Sequence, residues 1–77
     1  MTRSFLDQHL MEWEAFASTP RGGLPSPGRI LFRCLSDRTT RTRYHQVEGT
    51  RSDAEARIQR ADEGELRELL EGSEEMS

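Results

Sequence analysis

The sequence predicts an α+β fold, in which a small antiparallel sheet packs with N-terminal and C-terminal helices. Residues 29–47 contain two runs rich in aliphatic, aromatic and β-branched side chains, a pattern typical of a β-hairpin. Residues 52–72 contain two helix start signals, each followed by apolar residues at helical spacing. A chain of 77 residues is long enough for one domain, which we assign to 1–72, with 73–77 as a frayed C-terminal tail.

The N-terminal segment, residues 4–17, has two interpretations. Four apolar residues lie at helical spacing with Ser4 as a candidate N-cap: Leu6, Leu10, Trp13 and Ala17. The competing interpretation is a third strand at residues 13–19, although the two faces of that strand would differ little in polarity. The helix is favoured, and Trp13 is assigned to the core because the chain has few other large side chains.

The segment that follows, residues 18–28, is predicted to be a loop. It contains all three prolines and three of the six glycines, so neither a helix nor a strand ladder can continue through it. Pro27 and Gly28 suit the two central positions of a type II turn.

The hairpin is predicted at about 29–36 and 40–47, joined by a turn with side chains that favour turns. If Phe32 lies opposite Tyr44, one face carries five basic side chains: Arg29, Arg33, Arg41, Arg43 and His45. A slip of one residue would instead place the second strand's arginines and histidine beside Ile30 and Cys34. The first register is favoured, since burying a guanidinium group in so small a core costs roughly several kcal/mol.

The two C-terminal helices are predicted to begin at Ser52 and Asp62, each three residues before a glutamate. Gly72 is a natural end for the second helix. The buried stripes are expected to contain Ala54, Ile58 and Ala61 in the first helix and Leu66, Leu69 and Leu70 in the second.

Charge is divided along the chain. Residues 15–47 carry six arginines and one acid, a net +5, whereas residues 48–77 carry four arginines and ten acids, a net −6. We expect the acidic helices to cover the arginine-bearing face of the hairpin and to meet Leu31 and Leu35 there. The alternative is that this face stays open for a partner.

The sequence favours a small non-catalytic protein-interaction module whose biological process the residues do not identify. The candidate binding surface comprises the five basic residues of the hairpin, or the acidic helices. The partner is expected to be a protein, with a homodimer as one form. Binding of RNA or single-stranded DNA through the arginines is the alternative, but the sequence pI of about 5.3 disfavours it.

Other functional classes lack their signatures. His9, Cys34 and His45 have no metal-ligand spacing, and Gly22-Gly23 is not followed by the residues of a phosphate-binding loop. We therefore expect no metal, no cofactor and no enzyme activity. A single cysteine and the lack of a signal-peptide pattern favour the cytoplasm and no membrane partner, and basic residues that are all arginine favour a bacterial source.

Overall fold

A computed structural model describes residues 2–18 and 28–76. The predicted α+β class is confirmed: within the described residues, a five-stranded antiparallel sheet in the order β1-β2-β3-β4-β5 is combined with two helices. The strands are β1 Arg3–Leu6, β2 Glu12–Ser18, β3 Arg29–Cys34, β4 Arg43–Gln46 and β5 Glu74–Glu75. The helices α1 Arg51–Arg60 and α2 Glu63–Glu71 follow β4 and precede β5 along the chain.

The N-terminal segment forms two strands, so the favoured helix was wrong and the competing strand interpretation is confirmed for β2. Leu10, one of the four residues of the presumed helical stripe, has a φ of 62° and lies in the turn between β1 and β2. The Asp7 carboxylate organises that turn by accepting the backbone N–H groups of His9 at 2.8 Å and Met11 at 3.0 Å. Turn chemistry and pairing with β3 therefore override the helical spacing.

The hairpin of β3 and β4 is confirmed, but its favoured register was wrong. Phe32 lies opposite Arg43, and Leu31 lies opposite Tyr44, which is the slipped register. The guanidinium of Arg43 lies at the helix-covered side of the sheet, where its Nε donates to the Ser73 hydroxyl at 2.8 Å. Because hydrogen bonds compensate the loss of water, the penalty that argued against this register does not apply to Arg43.

Both C-terminal helices are confirmed, with one change of cap. Helix α1 is capped by Thr50, whose side chain accepts from the Asp53 N–H while the Asp53 carboxylate accepts from the Thr50 N–H. The predicted cap Ser52 lies inside the helix. Asp62 caps α2 as expected, accepting from the Glu65 N–H at 2.8 Å, and Gly72 is its C-cap.

The core lies between one face of the sheet and the two helices. Ile30 and Phe32 of β3 pack in the same buried cluster as Ile58 of α1 and Leu66 of α2. Trp13 belongs to this cluster, as predicted, and Ala15 beside it is fully buried. A small residue at this central position leaves room for α1, which contacts β2 and β3.

The start of β3 lies very close to the start of α1. The Gly28 N–H donates to the Gly49 carbonyl at 2.8 Å, and a Cβ at position 28 would lie 2.4 Å from the Thr50 carbonyl oxygen. Glycine is therefore required at residue 28 by this close approach. The predicted loop and type II turn fall mainly on residues 19–27, which lie outside the described residues.

The C-terminal residues are part of the fold, so the predicted fraying of 73–77 was wrong for 73–76. Tyr44 pairs with Glu74, Ser73 is buried, and the Met76 N–H donates to the Thr42 carbonyl at 2.9 Å. Two residues of strand are enough here because they complete an existing sheet. No helix within 2–18 and 28–76 is long and apolar enough to span a membrane.

Candidate functional site

One face of the sheet is not covered by the helices. Because side chains alternate along a strand, the residues between those of the core point to this second side. We call it the open face. It comprises Ser4, Leu6, Glu12, Glu14, Phe16, Ser18, Arg29, Leu31, Arg33, Tyr44, Gln46 and Glu74.

An apolar row crosses the centre of the open face. Phe16 lies directly opposite Leu31, and Leu31 lies directly opposite Tyr44, so the three side chains are neighbours on three adjacent strands. Adjacent strands are about 4.8 Å apart, so the row extends over roughly 10 Å. All three residues are only partly buried, and Leu6 at the β1 edge is 44% exposed. The row is therefore available for contact with another molecule.

The charged groups that flank this row contact other side chains of the same face. Arg33 forms an ion pair with Glu14 on the neighbouring strand. On the other side of the row, the Arg29 guanidinium lies 4.9 Å from the centroid of the Tyr44 ring. The Tyr44 hydroxyl donates to the Glu74 carboxylate at 2.7 Å, and this hydrogen bond, together with the nearby negative charge, raises the pKa of Tyr44. The open face thus combines an apolar centre with an ion pair on one side and an arginine stacked on an aromatic ring on the other.

The structure separates the five predicted site residues. Arg29 and Arg33 lie on the open face, whereas Arg43 and His45 lie on the helix-covered side of the sheet beside Phe32 and Ile30. Arg41 is exposed in the turn between β3 and β4. The expectation that these residues form one basic surface is therefore wrong in its geometry.

The helices lie on the side opposite to the one expected. Leu31 and Leu35 were predicted to meet the acidic helices, but Leu31 belongs to the open face and Leu35 is 41% exposed. The set of Ile30, Phe32 and Cys34 in β3 is uniformly apolar, whereas Leu31 lies between Arg29 and Arg33 in the other set. The helices pack on the side where neighbouring strands supply Trp13, Ala15 and Phe5.

Arg43 and His45 each interact with residues in or next to the helices. Arg43 donates to both the hydroxyl and the carbonyl of Ser73, just beyond the end of α2. Partial burial disfavours the charged imidazolium and lowers the pKa of His45, and the positive charge of Arg57 on α1 acts in the same direction. Both residues therefore lie on the helix-covered side and outside the open face.

Two features of this architecture were missed from the sequence. The row of Phe16, Leu31 and Tyr44 emerges only once the register is known, because the three residues are far apart along the chain. Arg3 was not singled out, yet its guanidinium donates to the carbonyls of Ile58, at 3.0 Å, and Ala61, at the end of α1. The sequence shows only that Arg3 is a cation that could reach a helix C-terminus. Such cations are too common for this to identify its role.

Metal ligands do not cluster in the part of the chain that the structure describes. No group of three or more His, Cys, Asp and Glu side chains there has the geometry to hold a metal ion. Cys34 is a free, buried cysteine.

Comparisons with known proteins do not identify a family. No family model, no curated protein and no solved structure matched this chain. We therefore infer the function from the geometry of the molecule.

Proposed function

We propose that this protein is a small non-catalytic interaction module that binds a protein partner through the open face of its sheet. The observation that carries the proposal is the partly exposed row of Phe16, Leu31 and Tyr44 at the centre of that face. Aromatic and aliphatic side chains at the centre of a patch, with polar groups around them, are the usual composition of a protein interface. The process in which this module acts would be defined by its partner.

The pairing of charges favours a protein over a nucleic acid as the partner. Among the described strand residues, the open face carries two arginines, Arg29 and Arg33, against three glutamates. Affinity for nucleic acid comes mainly from cations that neutralise phosphates, and three carboxylates on the same face would oppose it. A protein surface can instead cover the apolar row and meet the paired charges at its rim.

RNA or single-stranded DNA binding is the second candidate. It is favoured by the aromatic rings of Phe16 and Tyr44 on the same face, since exposed rings on a sheet can stack with unpaired bases. This candidate predicts binding of a fluorescent oligonucleotide that weakens steeply between about 50 and 200 mM salt. No binding at the lower salt concentration would eliminate it.

The proposed interface is tested with two leucine-to-glutamate variants. Leu31→Glu places a charge at the centre of the open face, whereas Leu10→Glu places one in the β1–β2 turn, where Leu10 is 77% exposed. Each tagged variant is used to recover cross-linked proteins from cells of the source organism. We expect Leu31→Glu to reduce recovery of a specific partner at least about tenfold, because a buried unpaired charge at an interface centre is strongly unfavourable, and Leu10→Glu to leave it unchanged.

The same variants identify self-association. If the partner is a second copy, sedimentation of the purified chain shows a dimer that Leu31→Glu converts to a monomer and Leu10→Glu does not. Equal partner recovery by folded Leu31→Glu and wild type would contradict the proposed interface. Circular dichroism and thermal unfolding establish that the variant is folded.

The expectations of no enzyme activity, no cofactor and a cytoplasmic location belong to this proposal. The small size of the domain supports the first two, since 77 residues leave little volume for an enclosed active site beside the core, and the single cysteine supports the location. A bacterial source, inferred from the use of arginine alone as the basic residue, is likewise part of the proposal.

A further inference from the structure

The β3–β4 hairpin opens into a cavity at its turn end. The last pair of the ladder is Phe32 with Arg43, and beyond it the chain on the two sides diverges. A cavity of about 380 Å³ lies in this opening, lined by Arg33, Cys34, Leu35, Arg38, Thr40 and Thr42. The lining contains two guanidinium groups and no carboxylate, and one of them, Arg33, is the open-face arginine that pairs with Glu14.

The backbone directs a further donor into the same opening. The Leu35 N–H donates to the Glu12 carbonyl at 2.8 Å, so the polar backbone groups of residue 35 point towards β2. Backbone groups alternate between the two sides of a strand, and those of Cys34 therefore point to the opposite side, where β4 would continue. The Cys34 N–H is thus directed towards the cavity.

Asp37, in the turn, and Glu14, beside Arg33, both have other partners. Asp37 accepts the backbone N–H of Thr39 at 2.9 Å and its hydroxyl at 2.6 Å. These bonds, with a further one from the Thr40 hydroxyl, keep the pKa of Asp37 low and its charge within the turn. Glu14 pairs with Arg33, but a guanidinium has five N–H donors and the Arg33 side chain is 60% exposed.

We propose that this cavity, which we call the hairpin cavity, binds a phosphate group. Arg33 and Arg38 would supply charge-assisted hydrogen bonds, with the Thr42 hydroxyl and the Cys34 N–H as neutral donors. Arginine is well suited to this because its planar donors match pairs of phosphate oxygens. The volume exceeds that of the phosphate alone and accommodates a small organic group attached to it, with Leu35 as an apolar wall.

The proposal is tested by titrating the full chain with inorganic phosphate and following the backbone amide resonances by NMR. Sodium chloride at matched ionic strength is the reference. We expect saturable shifts at Cys34, Leu35 and Thr42 with phosphate and none with chloride. Methyl phosphate, tested next, distinguishes the source of the group: binding as tight as that of inorganic phosphate indicates a phosphorylated small molecule, and much weaker binding indicates free phosphate.

Variants locate the site. Arg38→Gln should weaken phosphate binding about tenfold or more, because it removes a charged donor from the cavity. Thr42→Val should weaken it by about threefold, the effect of losing a neutral hydrogen bond. Arg41→Gln is the matched control, since Arg41 is an exposed arginine of the same turn that does not line the cavity, and it should change the affinity by less than about twofold.

Two results would overturn the proposal. One is an equal loss of phosphate affinity in Arg38→Gln and Arg41→Gln, which would mean that the affinity depends only on the net positive charge of the turn. The other is the same shifts with chloride as with phosphate. Amide spectra of each variant without phosphate verify that the fold is intact.

Discussion

At the level of single residues, three arginines connect the sheet to the helices. Arg3 donates to carbonyls at the end of α1, Arg43 donates to Ser73 beyond α2, and the Arg67 Nε of α2 donates to the Leu6 carbonyl at 2.9 Å. The carbonyls at a helix C-terminus lack intrahelical partners and carry partial negative charge, so cations are stabilising there. Arginines of this fold thus donate to backbone carbonyls as well as forming ion pairs between side chains.

His45 should make stability depend on pH. Its pKa lies below the ordinary 6.5 in the folded chain, so below pH 6.5 the unfolded chain binds the proton first. The stability associated with neutral His45 is complete above pH 6.5 and is lost as the pH falls through the lowered folded pKa.

The measurement is the melting temperature of wild type and His45→Gln between pH 7.5 and 5.5. Wild type should lose more stability over this range than His45→Gln. A parallel decline of the two proteins would show that His45 does not contribute to the pH dependence.

At the level of elements, local hydrogen bonds set the starts of both helices and the turn between β1 and β2. Thr50 and Asp53 cap one another at the start of α1, Asp62 begins α2, and Asp7 organises the β1–β2 turn while also accepting the Trp13 indole N–H at 2.8 Å. The predicted N-caps of the two helices were correct to within two residues, because capping depends on short-range hydrogen bonds. Thr50 was overlooked because Ser52 also stands three residues before an acid, and local sequence does not separate these two registers.

The cap can be assigned by two substitutions. Thr50→Ala should lower the free energy of unfolding by about 1 kcal/mol, the typical effect of losing an N-cap hydroxyl. Ser52→Ala, which removes an exposed hydroxyl from inside the helix, should have an effect near zero. Chemical denaturation of both variants is the measurement, and a larger loss for Ser52→Ala would contradict the assigned cap.

At the level of the whole molecule, the described residues form a sheet with both helices packed on one side. The cluster of buried residues joins the helices to one face, and the apolar row of the open face is left partly exposed. A sheet of this kind normally has one hydrophobic and one polar face. The apolar row is a departure from that pattern, and it is the reason for assigning the interaction surface to this side.

Two apolar truncations test which side is the core. Ile58→Ala should lower the free energy of unfolding by about 3 kcal/mol, since Ile58 is fully buried between helix and sheet. Leu31→Ala removes a side chain of the open face that is only partly buried, and should lower it by about 1 kcal/mol or less. Equal losses in urea denaturation would indicate that the open face is covered as thoroughly as the core.

The sequence by itself determined the α+β class, the central hairpin, both C-terminal helices and the burial of Trp13. These features depend on local propensity and on apolar periodicity, and both can be recognised from residues that are close together in the sequence. Only the tertiary structure decided that the N-terminal segment is two strands, that Phe32 lies opposite Arg43, and which side of β3 the helices cover. The physical reason is that strand register and helix packing depend on contacts between residues far apart in the sequence, such as Ala15 of β2, which lies opposite Phe32 of β3 and is fully buried.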